Sequence, residues 1–522
     1  MKPLGAVACG HPETARAAEL ILREGGNAFD AILAAHFMAC VVEPVLASLG
    51  GGGFLLAHSE KAHRKHQRDV IYDFFTQTPH VSLPQDELDF HPIHANFGTT
   101  TQEFHIGLAS VATPGTVRGV FKIHEDLGTM PLMELAQPAI EAARDGVVVN
   151  GFQAYILDIV SPIFSATRES RHQYQSLNHP DSLICEGEWL QQPQLANFLE
   201  ALVVEGSDLF YRGEIAQIIC DLSAREGGQL TLQDLSNYQV ILRDPVHIHY
   251  KQHHVLTNPP PSCGGTLIAF ALNLLEHCSV ERSEFGSWAH LHALVEAMRL
   301  TNEARFDVLL DSPREAALLR LLDADLLQQY RVKIAATLRV SRGTTHMSVM
   351  DGMGNVASMT VSNGEGCGHV VPDTGIMLNN MLGEQDLNPD GFFRWPPNQR
   401  MASMMAPTLV FSKDGKKICL GSGGSNRLRT AILQVLINII DFKNNLHDAV
   451  THPRIHFEND LLSIEPGFEP RELQPLHRQY VNHKLWEQKN LFFGGVHAVM
   501  EHDGIYDGAG DQRRGGVARI IW

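Results

Sequence analysis

The stretch Gly343-Thr344-Thr345-His346-Met347-Ser348-Val349-Met350-Asp351 constrains this chain more than any other, because it reads as a short alternating strand that opens on a Gly-Thr junction and closes at Asp351-Gly352. A threonine hydroxyl is a poor nucleophile without a base beside it, and an amino-terminal threonine carries its own base in the freed α-amino group. That amine has an ordinary pKa of about 7.7–8.0, close to working pH, where general-base catalysis is most efficient. Before cleavage no such amine exists. The Thr344 hydroxyl would first attack the Gly343 carbonyl to give an ester that water hydrolyses, and Gly343 tolerates the strained backbone this demands. On that reading the chain is a proenzyme. Taken alone, Gly-Thr-Thr-His is also the start of an ordinary edge strand, so other features must decide.

With 522 residues, 44% hydrophobic and 19% charged, the chain has the length and composition for a large buried core. Its formal charge of -18 comes from scattered carboxylates, and no basic block exceeds the Lys61-to-Arg68 patch, which argues against a nucleic-acid partner. The amino terminus runs into polar His11 and Glu13 with no apolar segment long enough for a signal peptide, so a cytoplasmic location is expected. The most apolar stretch, Ala28 to Leu46, is interrupted by Asp30, His36 and Glu43, which fits a buried helix better than a membrane span. Eight cysteines are spread singly without a C-x-x-C pair, and none of the 28 histidines falls in an H-E-x-x-H spacing. Neither disulfides nor a metal site are expected.

Thr14 to Glu24 has helical period and stops at Gly25-Gly26; Asn27 then caps a second helix whose apolar run ends at Pro44. Gly50 to Gly53 leads into a strand at Phe54-Leu55-Leu56. Further helices are expected at Leu132 to Arg144, Gly265 to Glu276, His290 to Phe306 and Leu428 to Ile440. Beyond residue 343 the pattern changes to hairpins, with Asp-Gly turns at Asp351-Gly352, Asp414-Gly415 and Asp503-Gly504. Two strand-rich sheets layered with helices are expected, without a linker to divide them.

Acyl transfer needs donors aimed at the developing oxyanion, and Gly423-Gly424, just before a helix, can offer backbone N–H groups with no side chain in the way. Read alone, Gly421 to Ser425 is first of all a strand-to-helix turn. It is not a phosphate loop, because Asn426 and Arg427 stand where that motif needs Gly and Lys.

Several blocks follow one another along the chain: Glu24-Gly25-Gly26-Asn27-Ala28-x-Asp30-Ala31, Gly50 to Phe54, Pro114-Gly115-Thr116-Val117-Arg118-Gly119, Pro259-Pro260-Pro261-Ser262-x-Gly264-Gly265, Gly375-Ile376-Met377-Leu378-Asn379-Asn380, Met401 to Pro407 and Gly421 to Ser425. In content and order they resemble the γ-glutamyltransferase (γ-glutamyltranspeptidase, glutathione hydrolase) family over nearly the whole chain. The resemblance implies a four-layer αββα N-terminal-nucleophile hydrolase sandwich, formed jointly by both halves of a self-cleaved precursor and needing no cofactor. The cut would fall between Gly343 and Thr344. It would divide one structural domain into a large subunit, residues 1–343, and a small subunit, residues 344–522, of roughly 38 and 20 kDa in proportion to length. Two subunits from one precursor are thus implied, with a dimer of such pairs as a further assembly.

By the same resemblance Thr344 is the nucleophile, Ser362 the hydroxyl that braces it, and Gly423 and Gly424 the oxyanion donors. Asn363 corresponds to an Asn that grips the substrate's amino group. Glu384, four positions after the second Asn of Asn379-Asn380, corresponds to the acid that pairs with the glutamyl α-amine. Two departures touch the substrate. Where the family reads Asp-x-Arg-Glu-x-Ala-Pro, with the arginine clamping the donor's α-carboxylate, this chain reads Asp73-Phe74-Phe75-Thr76-Gln77-Thr78-Pro79, so Phe75 takes the arginine's place. Burying a carboxylate against that ring without compensation would cost several kcal/mol. Where the family has a Ser-Ser pair on the same carboxylate, this chain has Ala402-Ser403. The span from Asn380 to Met401 is too short for the long lid loop of some members, so an open pocket is expected.

The implied function is cleavage of γ-glutamyl or related small-molecule amides through an acyl-enzyme ester on Thr344, with transfer to water or an amine. Phe75 leaves open an acylase for a non-glutamyl acyl group, and an unprocessed, non-catalytic relative is the reading from another class.

Overall fold

The computed structural model describes residues 2–61, 68–96, 101–276, 278, 280–311, 314–333, 344–385, 387–388, 391–424 and 426–522. Gly343, Ser425 and most of the Lys61-to-Arg68 patch lie outside them.

Two antiparallel sheets form the centre. The first has seven strands in the order Val517–Ile521, Gly5–Cys9, Thr345–Asp351, Val356–Ser362, Gly52–His58, Asp69–Phe74 and Ile241–Arg243. The second has six, in the order Ile505–Ala509, Gly495–His502, Lys417–Gly423, Thr408–Phe411, His253–Thr257 and Val246–Tyr250. All three Asp-Gly turns join neighbouring antiparallel strands, as the alternating pattern requires.

Strand alternation decides what each face of the first sheet covers. Val7, Cys9, Leu55, Met347 and Val349 face outward, where helices Pro12–Arg23, Ala28–Val42 and Thr116–Leu127 cover the sheet and Leu132–Asp145 packs on Ala28–Val42. Ala6, Ala8, Phe54 and Leu56 face inward, toward Leu409 and Cys419 of the second sheet, whose Ile418 and Leu420 point to the opposite face. Helices Gly264–Leu275 and Asn426–Ile440 cover the far side of that second sheet, and Trp288–Asp311 packs on the first of them. The result is the expected αββα sandwich.

The helix Ala28–Val42 is buried at every position, which explains its lack of a polar stripe. It starts where Asn27 Oδ1 accepts from the Phe29 and Asp30 N–H groups at 2.8 and 2.9 Å, while Asp30 Oδ2 accepts from Asn27 N at 3.0 Å. Asp30 Oδ1 also accepts from Thr129 N at 2.9 Å, tying the cap to the next helical hairpin. Among the described residues no helix is long and apolar enough to cross a membrane.

Candidate active site

The hairpin on Asp351-Gly352 builds the centre of the site. Thr345 pairs with Val361 in register, so Thr344, one residue earlier, comes opposite Ser362 at the end of the next strand. Both are 3% exposed. Ser362 Oγ accepts from Gly364 N at 3.0 Å, and its strand runs beside Gly52–His58. The Gly50-to-Gly53 block is thereby explained. A Cβ on Gly51 would fall far inside the 3.0 Å below which real Cβ contacts do not occur, against the Ser362 carbonyl oxygen.

Gly423 ends a strand of the second sheet, and its Cα lies so near Thr344 that an added Cβ would overlap the Thr344 carbonyl oxygen. Helix Asn426–Ile440 begins just beyond, which puts the N–H groups of the Gly423-Gly424 turn at the positive end of a helix beside Thr344. Arg514 completes this corner by donating from Nη1 to the Thr344 carbonyl at 3.1 Å.

Thr344, Ser362, Glu384, Ser403 and Phe75 line one cavity with Met381, Leu387, Met404, Met405 and Leu428. Asn363 is not among them. It is fully buried, with Nδ2 directed at the Met377 and Leu378 carbonyls at 3.4 and 3.5 Å, so its amide braces the loop beside the site. Glu384 is 6% exposed, which excludes a solvated loop charge. Ser403 Oγ accepts from Met405 N at 3.1 Å, and its carbonyl accepts from Cys263 N at 2.6 Å and Ser262 Oγ at 2.9 Å, fastening the Met401-to-Pro407 block onto the Pro259-to-Gly265 block.

The expected open pocket does not form: the cavity measures about 20 Å³. A short span does not leave the site uncovered, because Asn388 Nδ2 staples the turn by donating to the carbonyls of Met381 and Leu382, both at 3.1 Å, and of Glu384 at 2.8 Å. That turn holds Leu387 and Glu384 over Thr344. Phe392 and Phe393 then meet Phe90 edge-on at 5.2 and 4.6 Å between ring centroids, closing the span further out.

The place of the missing arginine is apolar. Phe75 is fully buried and stacks on Phe54 at 5.5 Å. A cation does stand nearby, but it is committed elsewhere: Arg400 donates to the Phe75 carbonyl, to Tyr238 Oη and to the Gln239 carbonyl, and lies 3.6 Å from Asp73. It braces the segment that carries Phe75 and does not line the cavity.

Glu43 is a further residue of interest that sequence reasoning passed over. Fully buried at the end of Ala28–Val42, it accepts from Thr14 Oγ1 at 2.8 Å and from Thr345 Oγ1 at 3.0 Å, immediately beside Thr344. Burial pushes its carboxyl up to about 7, against the two hydroxyl hydrogen bonds. The available signal was an ionisable residue inside the most apolar run. Folded Glu43 holds its proton more tightly than the unfolded chain does. Its contribution to stability is therefore fully present below the unfolded pKa of 4.5 and is lost as pH rises through about 7. Glu43→Gln, which cannot ionise, is expected to gain on the parent by about 3 kcal/mol between pH 4 and pH 8 in denaturant unfolding. A pH-independent difference would show that Glu43 does not titrate in this range.

A layered sandwich with a threonine poised on a central strand beside a glycine turn defines the class of N-terminal-nucleophile hydrolases. The sequence model of the family described as Gamma-glutamyltranspeptidase matches residues 14–521, and the chain belongs to that family and is an enzyme. It is 32% identical to the glutathione hydrolase proenzyme of Escherichia coli (strain K12), covering 94% of this chain and 87% of that one. It is 30% identical to the acylase ACY 1 proenzyme of Pseudomonas sp. (strain V22), covering 99% and 93%. Among solved structures it is similar to cephalosporin acylase from Bacillus halodurans, with a TM-score of 0.82, 25% identity and coverage of 99% and 96%.

Proposed function

We propose that the chain cleaves itself between Gly343 and Thr344 and then acts as an amidohydrolase or acyltransferase with Thr344 as nucleophile. The α-amine of Thr344 takes the proton from its own Oγ as that oxygen attacks the amide carbonyl, and the N–H groups of Gly423 and Gly424 hold the resulting oxyanion. The amine then returns the proton to the leaving nitrogen, and water or an acceptor amine attacks the ester in the second half-reaction. Ser362, across the hairpin, braces the Thr344 hydroxyl.

The acyl half is read from the cavity lining, the observation that carries the substrate proposal. Three hydroxyls and one carboxylate stand among six apolar side chains, and no cation is present in that lining. Glu384 suits an amine on the acyl group. Phe75, Met381, Met404 and Leu428 suit an apolar body where the family resemblance implies an α-carboxylate clamp. This favours acylase action on a non-glutamyl acyl group over γ-glutamyl donors such as glutathione. The relatives include both a glutathione hydrolase proenzyme and an acylase proenzyme at similar identity, so the choice rests on the cavity lining. The cavity of about 20 Å³ in the uncut chain has room for about one water and not for an acyl group, so substrate entry requires the cover formed by Met381, Glu384 and Leu387 to move.

The test is Phe75→Arg assayed with paired donors that differ only in an α-carboxylate. The ratio of kcat/KM for the γ-glutamyl donor to that for the donor lacking the carboxylate is expected to rise about tenfold or more, the worth of one charge-assisted pair. An unchanged ratio in a variant with parental stability would remove Phe75 from the acyl site.

A further inference from the structure

Two adjacent arginines near the carboxyl end serve different partners. Arg513 is bound by carboxylates: its Nε donates to Glu465 Oε1 at 2.8 Å and its Nη1 to Asp511 Oδ1 at 3.1 Å. The other oxygen of Asp511 pairs with Arg454 at 2.7 Å. Arg514 turns the opposite way. Among the described residues its hydrogen-bond acceptors are main-chain carbonyls, of Thr344 at 3.1 Å and Leu491 at 3.4 Å. Arg514 is 5% exposed, and its guanidinium lies along the glycine turn, where a Cβ on Gly423 or Gly424 would come within 3.2 or 3.3 Å of its nitrogens. Burial and Arg427 pull Arg514 down to about 10, so it remains a cation at working pH.

The carbonyl that Arg514 grips belongs to the residue whose α-amine cleavage would free. Covalent geometry keeps that nitrogen roughly 4–6 Å from the guanidinium. A cation at this range disfavours protonation of the amine. We propose that Arg514 is a positioning residue for acyl transfer, one that fixes the Thr344 main chain and holds its freed α-amine unprotonated at neutral pH. This rests on the reading of Thr344 as the amino-terminal nucleophile.

The other charged groups around this corner divide. Arg427, at the start of the helix after the glycine turn, adds to the field of Arg514, whereas Glu365 and Asp511 oppose it. Glu384 shares the cavity with Thr344, and Glu43 touches Thr345. His346 and His497, both fully buried, are held neutral by burial, His497 down to about 4. Asp511 is engaged by Arg454 and Arg513, which leaves Arg514 the nearest fixed charge on the Thr344 carbonyl.

The experiment measures kcat/KM from pH 5 to 9.5 for the parent, Arg514→Lys and Arg514→Met, after amino-terminal sequencing of the small piece. The parent's acidic limb is expected at or below about pH 7, clearly under the range of about 7.7–8.0 for a free α-amine. Arg514→Met is expected to move the limb up by about one unit, giving about a tenfold loss at pH 6 that shrinks to within about twofold at pH 9. Arg514→Lys keeps the charge and the parent's limb. A parent limb at 7.7–8.0 or above, or a loss in Arg514→Met equal at every pH, would overturn the proposal. If Arg514→Met fails to fold, Arg514→Gln takes its place, with the same shift expected and the same pH-independent loss overturning the proposal. A small piece that does not begin at Thr344 refutes the nucleophile reading itself, and sequencing reveals this before any pH profile is recorded.

Discussion

Thr344→Ala is expected to leave a single chain of 57.7 kDa and to lower amide turnover by at least about a thousandfold. The methyl group cannot attack the Gly343 carbonyl, so no ester forms, no peptide bond is exchanged for it and no α-amine is released. Both halves of the chemistry fail together because one oxygen serves them in turn. The substitution removes little else: the Thr344 carbonyl keeps its bond from Arg514, and the strand Thr345–Asp351 keeps its pairing on both sides. Thermal stability should therefore stay near the parent's. Thr344→Ser retains the hydroxyl and should still yield pieces of roughly 38 and 20 kDa, more slowly. Intact mass with amino-terminal sequencing reads cleavage in the parent and in both variants, an amide-hydrolysis assay the turnover, and thermal unfolding the stability. Normal cleavage in Thr344→Ala would move the nucleophile to another residue, and a parent that never cleaves would favour a non-catalytic relative.

The hairpin that brings Thr344 opposite Ser362 could be read in advance, because an alternating strand, an Asp-Gly turn and a second alternating strand fix the register without help from the rest of the chain. The helix after Asn27 was equally legible, since its cap is local. The strand Gly5–Cys9 was not. It sits between Val517–Ile521 and Thr345–Asp351, buried on both faces, so its residues show no alternation to read, and both partners lie hundreds of residues away. The same distance hides Arg514, whose link to Thr344 exists only once the last strand closes the sheet. Cavity closure was misjudged for a related reason. Loop length bounds what a segment can cover, but the side-chain staple from Asn388 decides where it lies. Asn363 shows the limit of carrying a role over by motif: the residue is present, yet its amide faces main-chain carbonyls beside the cavity.

Gly423→Ala tests the other half of the site without touching any reactive side chain. Gly423 pairs with Gly495 at the end of its strand, and a Cβ there would overlap the Thr344 carbonyl oxygen and stand 3.2 Å from Arg514 Nη1. Neither neighbour can yield freely, since the carbonyl is backbone at the start of a central strand and the guanidinium is fully enclosed. Either Lys417–Gly423 slips away from Gly495 or Thr344 is pushed back. Both separate the nucleophile from the Gly423 and Gly424 N–H groups. Losing one oxyanion donor costs about 100- to 1,000-fold in kcat, and a displacement near 1 Å costs about 100-fold. The variant is therefore expected to mature slowly and to lose at least about 100-fold in kcat, with a smaller change in KM. Gly504→Ala provides the control for general destabilisation. Its φ of +79° strains any side chain, but nothing lies within 4 Å, so it should lower thermal stability and leave kcat alone. If Gly423→Ala matures and turns over like Gly504→Ala, the oxyanion is held elsewhere, and the nearness of the two glycines to Thr344 reflects sheet packing alone.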